Sequence, residues 1–267
     1  MKINIAIFIL FALLSTYLFA QQEVEVAEKN TEKGIKLNFN AGFHFSNMIG
    51  QNVQKYDNIH ISAHSYGSTY RYECNELYAG GYITFLPGFK FGLGLTFDKT
   101  KKFSWGFDLN FETKGCLIPI KEITIVSYTS QVESKSINAS NLNSKIRLNY
   151  IVIPVRTEFK YKKFYLMPGV YTGFLLGAFS TTKFDYENHR FNVQRRVSSH
   201  YSLIDLGVIL NIGFCFPLPK NEFIKIGIVG EWNINGTKSR SLDGGSYSYF
   251  CNQVLGLELK YEFKIKK

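Results

Sequence analysis

The sequence predicts an all-β protein, an eight-stranded antiparallel up-and-down transmembrane β-barrel behind an N-terminal signal peptide. Three observations predict it. Apolar and polar side chains alternate with a period of two over segments of about ten residues, the connections between those segments alternate between long and short, and aromatic residues gather near both ends of the segments.

The first strand, at 35–45, sets Ile35, Leu37, Phe39, Ala41, Phe43 and Phe45 against Lys36, Asn38, Asn40, Gly42 and His44. The second, at 89–98, opposes Phe89, Phe91, Leu93, Leu95 and Phe97 to Lys90, Gly92, Gly94, Thr96 and Asp98. The third, at 103–112, opposes Phe103, Trp105, Phe107, Leu109 and Phe111 to Ser104, Gly106, Asp108, Asn110 and Glu112. The next two form a hairpin at 146–178, too rich in Val, Ile, Tyr and Phe for a loop. Gly169, Gly173 and Gly177 argue against a helix there, and Lys162 and Lys163 mark the turn. Its first arm places Ile151, Ile153, Val155, Thr157, Phe159 and Tyr161 on one face and Val152, Pro154, Arg156, Glu158 and Lys160 on the other, whereas the second arm alternates least clearly. The sixth strand runs to Phe216 with Ile204, Leu206, Val208, Leu210, Ile212 and Phe214 against Asp205, Gly207, Asn211 and Gly213. The seventh, at 223–235, sets Ile224, Ile226, Ile228, Trp232 and Ile234 against Lys225, Gly227, Glu231 and Asn233. The last, at 255–265, sets Leu255, Leu257, Leu259, Tyr261, Phe263 and Ile265 against Gly256, Glu258, Lys260, Glu262 and Lys264. Strands buried in a parallel sheet would be apolar on both faces.

The connections at 46–88, 113–145, 180–200 and 236–249 are long, and those at 99–102, 162–163 and 217–222 are short. Tight turns on one side and extended loops on the other are the wiring of an outer-membrane barrel; a soluble sandwich has no reason to sort loops by length. The polar parity is small or charged and the other parity is dense in Phe and Ile, which would overfill so narrow an interior. The apolar parity is therefore expected outside, against lipid. Lys36, Lys90, Asp108, Glu112, Arg156, Glu158, Asp205, Lys225, Glu231, Glu258 and Lys260 are expected inside as an interior polar plug of salt bridges, each charge costly alone and offset by a partner.

The chain opens with Lys2, an apolar run at 3–18 and then Ala20-Gln21-Gln22, the parts of a signal peptide cut after Ala20; the alternative is a membrane-anchoring helix. This predicts a signal peptide at 1–20, a periplasmic N-terminal segment at 21–34 and the barrel at 35–267. Apolar residues make up 45% of the chain and aromatic residues 16%, yet no stretch after Ala20 is long enough for a transmembrane helix. The net charge of +10 fits an anionic lipid or lipopolysaccharide surface better than nucleic acid, which an exported chain rarely meets.

Tyr150-Ile151-Val152-Ile153-Pro154, then Pro168-Gly169-Val170-Tyr171-Thr172-Gly173, an Asp-Leu-Gly strand at 205–207 and the closing segment at 252–263 carry a resemblance over residues 35–263. In these the chain resembles the PorT-like outer-membrane β-barrel family of Bacteroidetes. The resemblance implies the barrel and the outer membrane and is nearly silent on activity.

Chemical motifs are sparse. Cys74 and Cys116 fall in the first two long connections, and a bridge between them would close the extracellular loops in an oxidising setting; two unpaired thiols are the alternative. Cys215 and Cys251 sit at opposite ends and are not expected to pair. His60 and His64 lack further ligands at metal spacing, and no cofactor or metal is expected. His44, Ser46, Glu112, His189, Ser198, Ser199 and His200 stand toward the outer rim, but no nucleophile motif surrounds these serines. Lys183, Arg190, Arg195 and Arg196 in the third long connection are candidates for gripping lipopolysaccharide phosphates, with Asp185 and Glu187 as alternative partners. The expected function is non-enzymatic: anchoring of extracellular loops or interaction with envelope partners. A barrel enzyme acting on lipid or peptide at the outer rim and a soluble periplasmic ligand-binding barrel are the alternatives.

Overall fold

The computed structural model describes residues 34–51, 63–64, 71–78, 84–100, 102–128, 132–186, 189–219, 222–235, 237–240 and 247–265. The expected signal peptide, all of the expected periplasmic segment but Gly34, and His60 lie outside them. Strands run at β1 (Gly34–Gln51), β2 (Ala63–His64), β3 (Arg71–Tyr78), β4 (Thr84–Asp98), β5 (Phe103–Tyr128), β6 (Val132–Tyr161), β7 (Phe164–Tyr186), β8 (His189–Arg196), β9 (Ile204–Leu218), β10 (Glu222–Asn233), β11 (Thr237–Arg240) and β12 (Tyr247–Lys264). Eight of them, β1, β4, β5, β6, β7, β9, β10 and β12, pair antiparallel in chain order. The ring closes where β1 meets β12, from Lys36 opposite Lys264 to Gln51 opposite Tyr249. This is the up-and-down barrel the period of two predicts, and closure leaves the barrel wall no free edge.

The apolar parity faces outward. Phe107, Ile226 and Leu257 are exposed, Leu257 at 60%, while Asp108, Glu231 and Glu258 on the opposite parity are at most 2% exposed. A soluble barrel would show the reverse, so the soluble ligand-binding reading does not survive the fold. Rings gather in two girdles. At the short-turn end Phe97 stacks on Trp105 with centroids 4.5 Å apart, and Phe164 meets Phe214 at 4.5 Å. At the long-connection end Phe43 lies edge-on to Phe45 at 5.3 Å and Phe91 meets Phe111 at 5.4 Å.

All four long connections are partly corrected by the structure: 46–88 holds the end of β1, all of β2 and β3 and the start of β4, and 236–249 holds β11 and the start of β12. Much of 113–145 is ladder rather than loop: β5 and β6 pair from Phe103 opposite Phe159 up to Tyr128 opposite Val132, and β3 adds to β5. Likewise β7 continues to Tyr186 and pairs with β8. Beyond the bilayer nothing demands an apolar outward parity, so the alternation fades from the sequence while backbone pairing continues.

The short turns follow the expected positions. Thr100 Oγ1 accepts hydrogen bonds from the backbone N–H of Phe103 (2.9 Å) and Lys102 (3.2 Å), pinning the β4–β5 turn. In the β6–β7 turn Lys162 holds a left-handed backbone, φ 56°, where a side chain is strained and Gly is not. Lys162→Gly is expected to stabilise the barrel by about 0.5–1 kcal/mol, read as a higher urea midpoint by Trp fluorescence in micelles. An unchanged or lower midpoint removes this account of the turn.

Candidate functional site

The lumen is the chemically richest part of the molecule. Inward positions on the barrel strands place seven cations (Lys36, Lys90, Lys114, Arg156, Lys160, Lys225, Lys260) and eight carboxylates (Asp98, Asp108, Glu112, Glu158, Asp205, Glu231, Glu258, Glu262) in contact among the described residues. They form three tiers. Nearest the short turns, Lys36 Nζ meets Asp98 at 2.8 Å, and Lys225 Nζ sits between Glu158 (2.7 Å) and Glu262 (2.6 Å). Ser104 Oγ donates to Glu158 at 3.0 Å. In the middle, Arg156 bridges Asp108 and Glu258, the latter at 2.9 Å; Lys260 reaches Asp108 at 3.2 Å and Lys90 reaches Glu258 at 2.6 Å. Asn211 Nδ2 donates to Glu258 at 2.8 Å and its oxygen accepts from Tyr165 OH at 3.0 Å.

The third tier centres on Lys114. Its Nζ lies 2.9 Å from Glu231, 3.4 Å from Glu112 and 3.5 Å from Asp205, and 4.4 Å from the Tyr171 ring centroid. Tyr171 OH reaches Asp205 at 3.4 Å, and Asn233 and Asn252 donate to the same carboxylate. Around this tier the interior turns apolar: Met48, Cys116, Ile146, Leu148, Leu175 and Ala178 pack toward the long connections, and Tyr150, Val152, Ile209 and Val229 join the same cluster at the tier or on its short-turn side. That cluster explains the blurred alternation of the hairpin's second arm, since both its faces are apolar there.

All eleven residues of the expected plug lie at these inward positions and are at most 5% exposed. Lys114 and Cys116 fall inside the expected 113–145 connection, although extending the inward parity 108, 110, 112 by two steps reaches them. Asp98, Lys160 and Glu262 also share the inward parity. The residues that carry the family resemblance converge on the third tier, because Tyr150, Tyr171 and Asp205 all surround Lys114.

The expected Cys74–Cys116 bridge is corrected: Cys116 is a free thiol buried in the lumen, its Sγ 3.4 Å from Met48 Sδ. Cys74 stands opposite Ile125 on β5, nine positions beyond Cys116 and therefore about 30 Å along the strand, while a disulfide needs Cα atoms within about 7 Å. Among the described rim side chains His44 Nδ1 lies 3.8 Å from Glu112, and no serine completes a triad with them. His44 Nε2 lies 2.8 Å from the Thr113 carbonyl oxygen, Ser46 Oγ donates to the Gly115 carbonyl at 3.0 Å, and Ser198 Oγ accepts from Ala178 N at 2.9 Å. No group of three His, Cys, Asp or Glu with metal-holding geometry occurs among the described residues.

Lys183 and Arg196 are exposed on the β7–β8 hairpin, where Arg190 stands opposite Asp185 and Arg195 opposite Ser180. Arg196 Nε donates to Ser198 Oγ at 3.3 Å. Phe179 pairs with Arg147 on one side and Arg196 on the other, so Lys145, Arg147, Lys183 and Arg196 line one outer stripe. Burial and then the neighbouring cations Arg147 and Lys183 hold the Lys145 ammonium below its ordinary pKa.

A closed eight-stranded barrel with an apolar exterior, two aromatic girdles and a charged lumen is a transmembrane β-barrel of the outer-membrane class. The chain belongs to the outer membrane protein beta-barrel domain family, which matches residues 19–239, and its place is the outer membrane. Solved structures of similar chains include the outer membrane protease OmpT from Escherichia coli, at 8% identity and a TM-score of 0.40, covering 89% of this chain and 99% of that one. Neisserial surface protein A (NspA) is similar at 7% identity and 0.35, covering 84% and 95%. The outer membrane protein AlkL is similar at 12% identity and 0.34, covering 90% and 95%. A comparison with curated proteins found no match.

Proposed function

We propose that this protein is a non-enzymatic anchor: a rigid, sealed barrel that holds extended β-hairpins above the outer membrane, where they contact lipopolysaccharide and envelope partners. Within its family it stands with the PorT-like barrels, a reading supported by the Tyr150–Pro154 and Pro168–Gly173 motifs that meet around Lys114. The observation that carries the anchor is the lumen, filled by cross-strand ion pairs from the short-turn end and by an apolar cluster packed around and beyond Lys114. Among the described residues such packing fills the lumen with side chains, as a barrel this narrow requires, and so supports an anchor over a channel. The outer stripe of Lys145, Arg147, Lys183 and Arg196 suits the phosphates of lipopolysaccharide, because crowded cations are relieved by an anion between them.

Two measurements test this reading. The folded protein in a planar bilayer is expected to give no steady single-channel conductance, and a reproducible open level would replace the anchor with a channel. In cells, His44→Ala, His189→Ala and His200→Ala are expected to leave lipopolysaccharide acyl chains unchanged. A lost modification in any of them would favour the rim enzyme instead.

A further inference from the structure

We propose that the opposite, short-turn rim is a second lipid-binding surface: the adjoining β4–β5 and β6–β7 turns dock anionic phospholipid headgroups of the inner leaflet. Lys99 and Lys102 flank the first turn, Lys162 and Lys163 form the second, and all four are exposed. The turns are neighbours, since Lys160 N donates to the Lys102 carbonyl oxygen at 2.8 Å and Phe103 stands opposite Phe159. Four lysines therefore share one sector of the rim.

The carboxylates near this sector point the other way. Asp98 turns into the lumen toward Lys36 (2.8 Å) and Lys160 (3.9 Å), and Glu158 turns toward Lys225 (2.7 Å). Among the described residues the sector thus presents Lys99, Lys102, Lys162 and Lys163 outward, while Asp98 and Glu158 serve the interior network.

Directly beside the lysines lies the aromatic girdle. Phe97 and Trp105 stack at 4.5 Å, Phe103 and Phe159 meet at 5.2 Å, and Tyr161 and Phe164 flank the Lys162–Lys163 turn. Girdle rings sit at the boundary between acyl chains and headgroups. Each lysine is one or two residues from such a ring, about 3–7 Å of strand, and a headgroup layer is about 5–8 Å deep. The ammonium groups therefore fall at the depth of lipid phosphates, which an acidic soluble partner would not share. Because short turns face the periplasm in this class of barrel, those phosphates belong to the phospholipid leaflet and not to lipopolysaccharide.

The test uses the full folded barrel in phosphatidylcholine vesicles carrying a trace of spin-labelled phosphatidylglycerol or spin-labelled phosphatidylcholine, with electron spin resonance reporting the protein-bound fraction. Phosphatidylglycerol is expected to associate about threefold more strongly, and the preference to fade in about 0.5 M salt as the charges are screened. The variant Lys99→Gln/Lys102→Gln/Lys162→Gln/Lys163→Gln is expected to lose most of it, and Lys145→Gln/Arg147→Gln/Lys183→Gln/Arg196→Gln to keep most of it. Heat-modifiable migration of each variant verifies a folded barrel. No preference in the unaltered protein, or one that mostly survives in the short-turn variant, overturns the proposal.

Discussion

Arg156→Met is expected to destabilise the barrel by about 3–5 kcal/mol, the usual cost of removing one partner from a buried ion pair. Arg156 bridges Asp108 and Glu258, and neither carboxylate has water to turn to, each being 1% exposed. The loss is read as a lower urea midpoint in micelles and a lower temperature for the heat-modifiable band shift. The double variant Arg156→Met/Glu258→Gln is expected to recover more than half of it. There Asp108 keeps Lys260 at 3.2 Å and Lys90 keeps Glu231 at 3.5 Å, so every remaining charge has a partner. A double variant no more stable than the single one would mean that the arginine acts through its packing and not its charge.

Gly207→Val is the second large effect, expected at about 2–4 kcal/mol from overpacking and lost polar contacts. Gly207 sits where any Cβ would run into the Trp232 carbonyl oxygen and the ring of Tyr171. Pushing that ring aside removes its contact with Lys114 and its hydroxyl from Asp205. Tyr171→Phe isolates the hydroxyl and is expected to cost about 1 kcal/mol, the net worth of one hydrogen bond. Equal losses in the two variants would show that Gly207 is not reserved for the ring.

The barrel was legible because a lipid-facing wall imposes one rule on every strand. Phe39, Phe91, Phe107, Val155, Phe214, Ile226 and Leu257 had to face hydrocarbon, so their partners on the other parity had to face the axis. Above the membrane that rule lapses. The polar run at 132–145 looks like loop in the sequence and is strand in the structure, its pairing set by the backbone of β5 rather than by side-chain pattern. Because the strand continues past the point where the alternation fades, Lys114 and Cys116 lie in the lumen and not in a loop near Cys74.

The chain by itself determined that eight strands close into a membrane cylinder, which parity turns inward, and which charges that parity carries, because burial against lipid is written into every second residue. Which cation meets which carboxylate was decided by tertiary structure alone. Arg156 on β6 finds Glu258 on β12, 102 positions away, only because closure of the ring brings opposite walls within reach of a side chain.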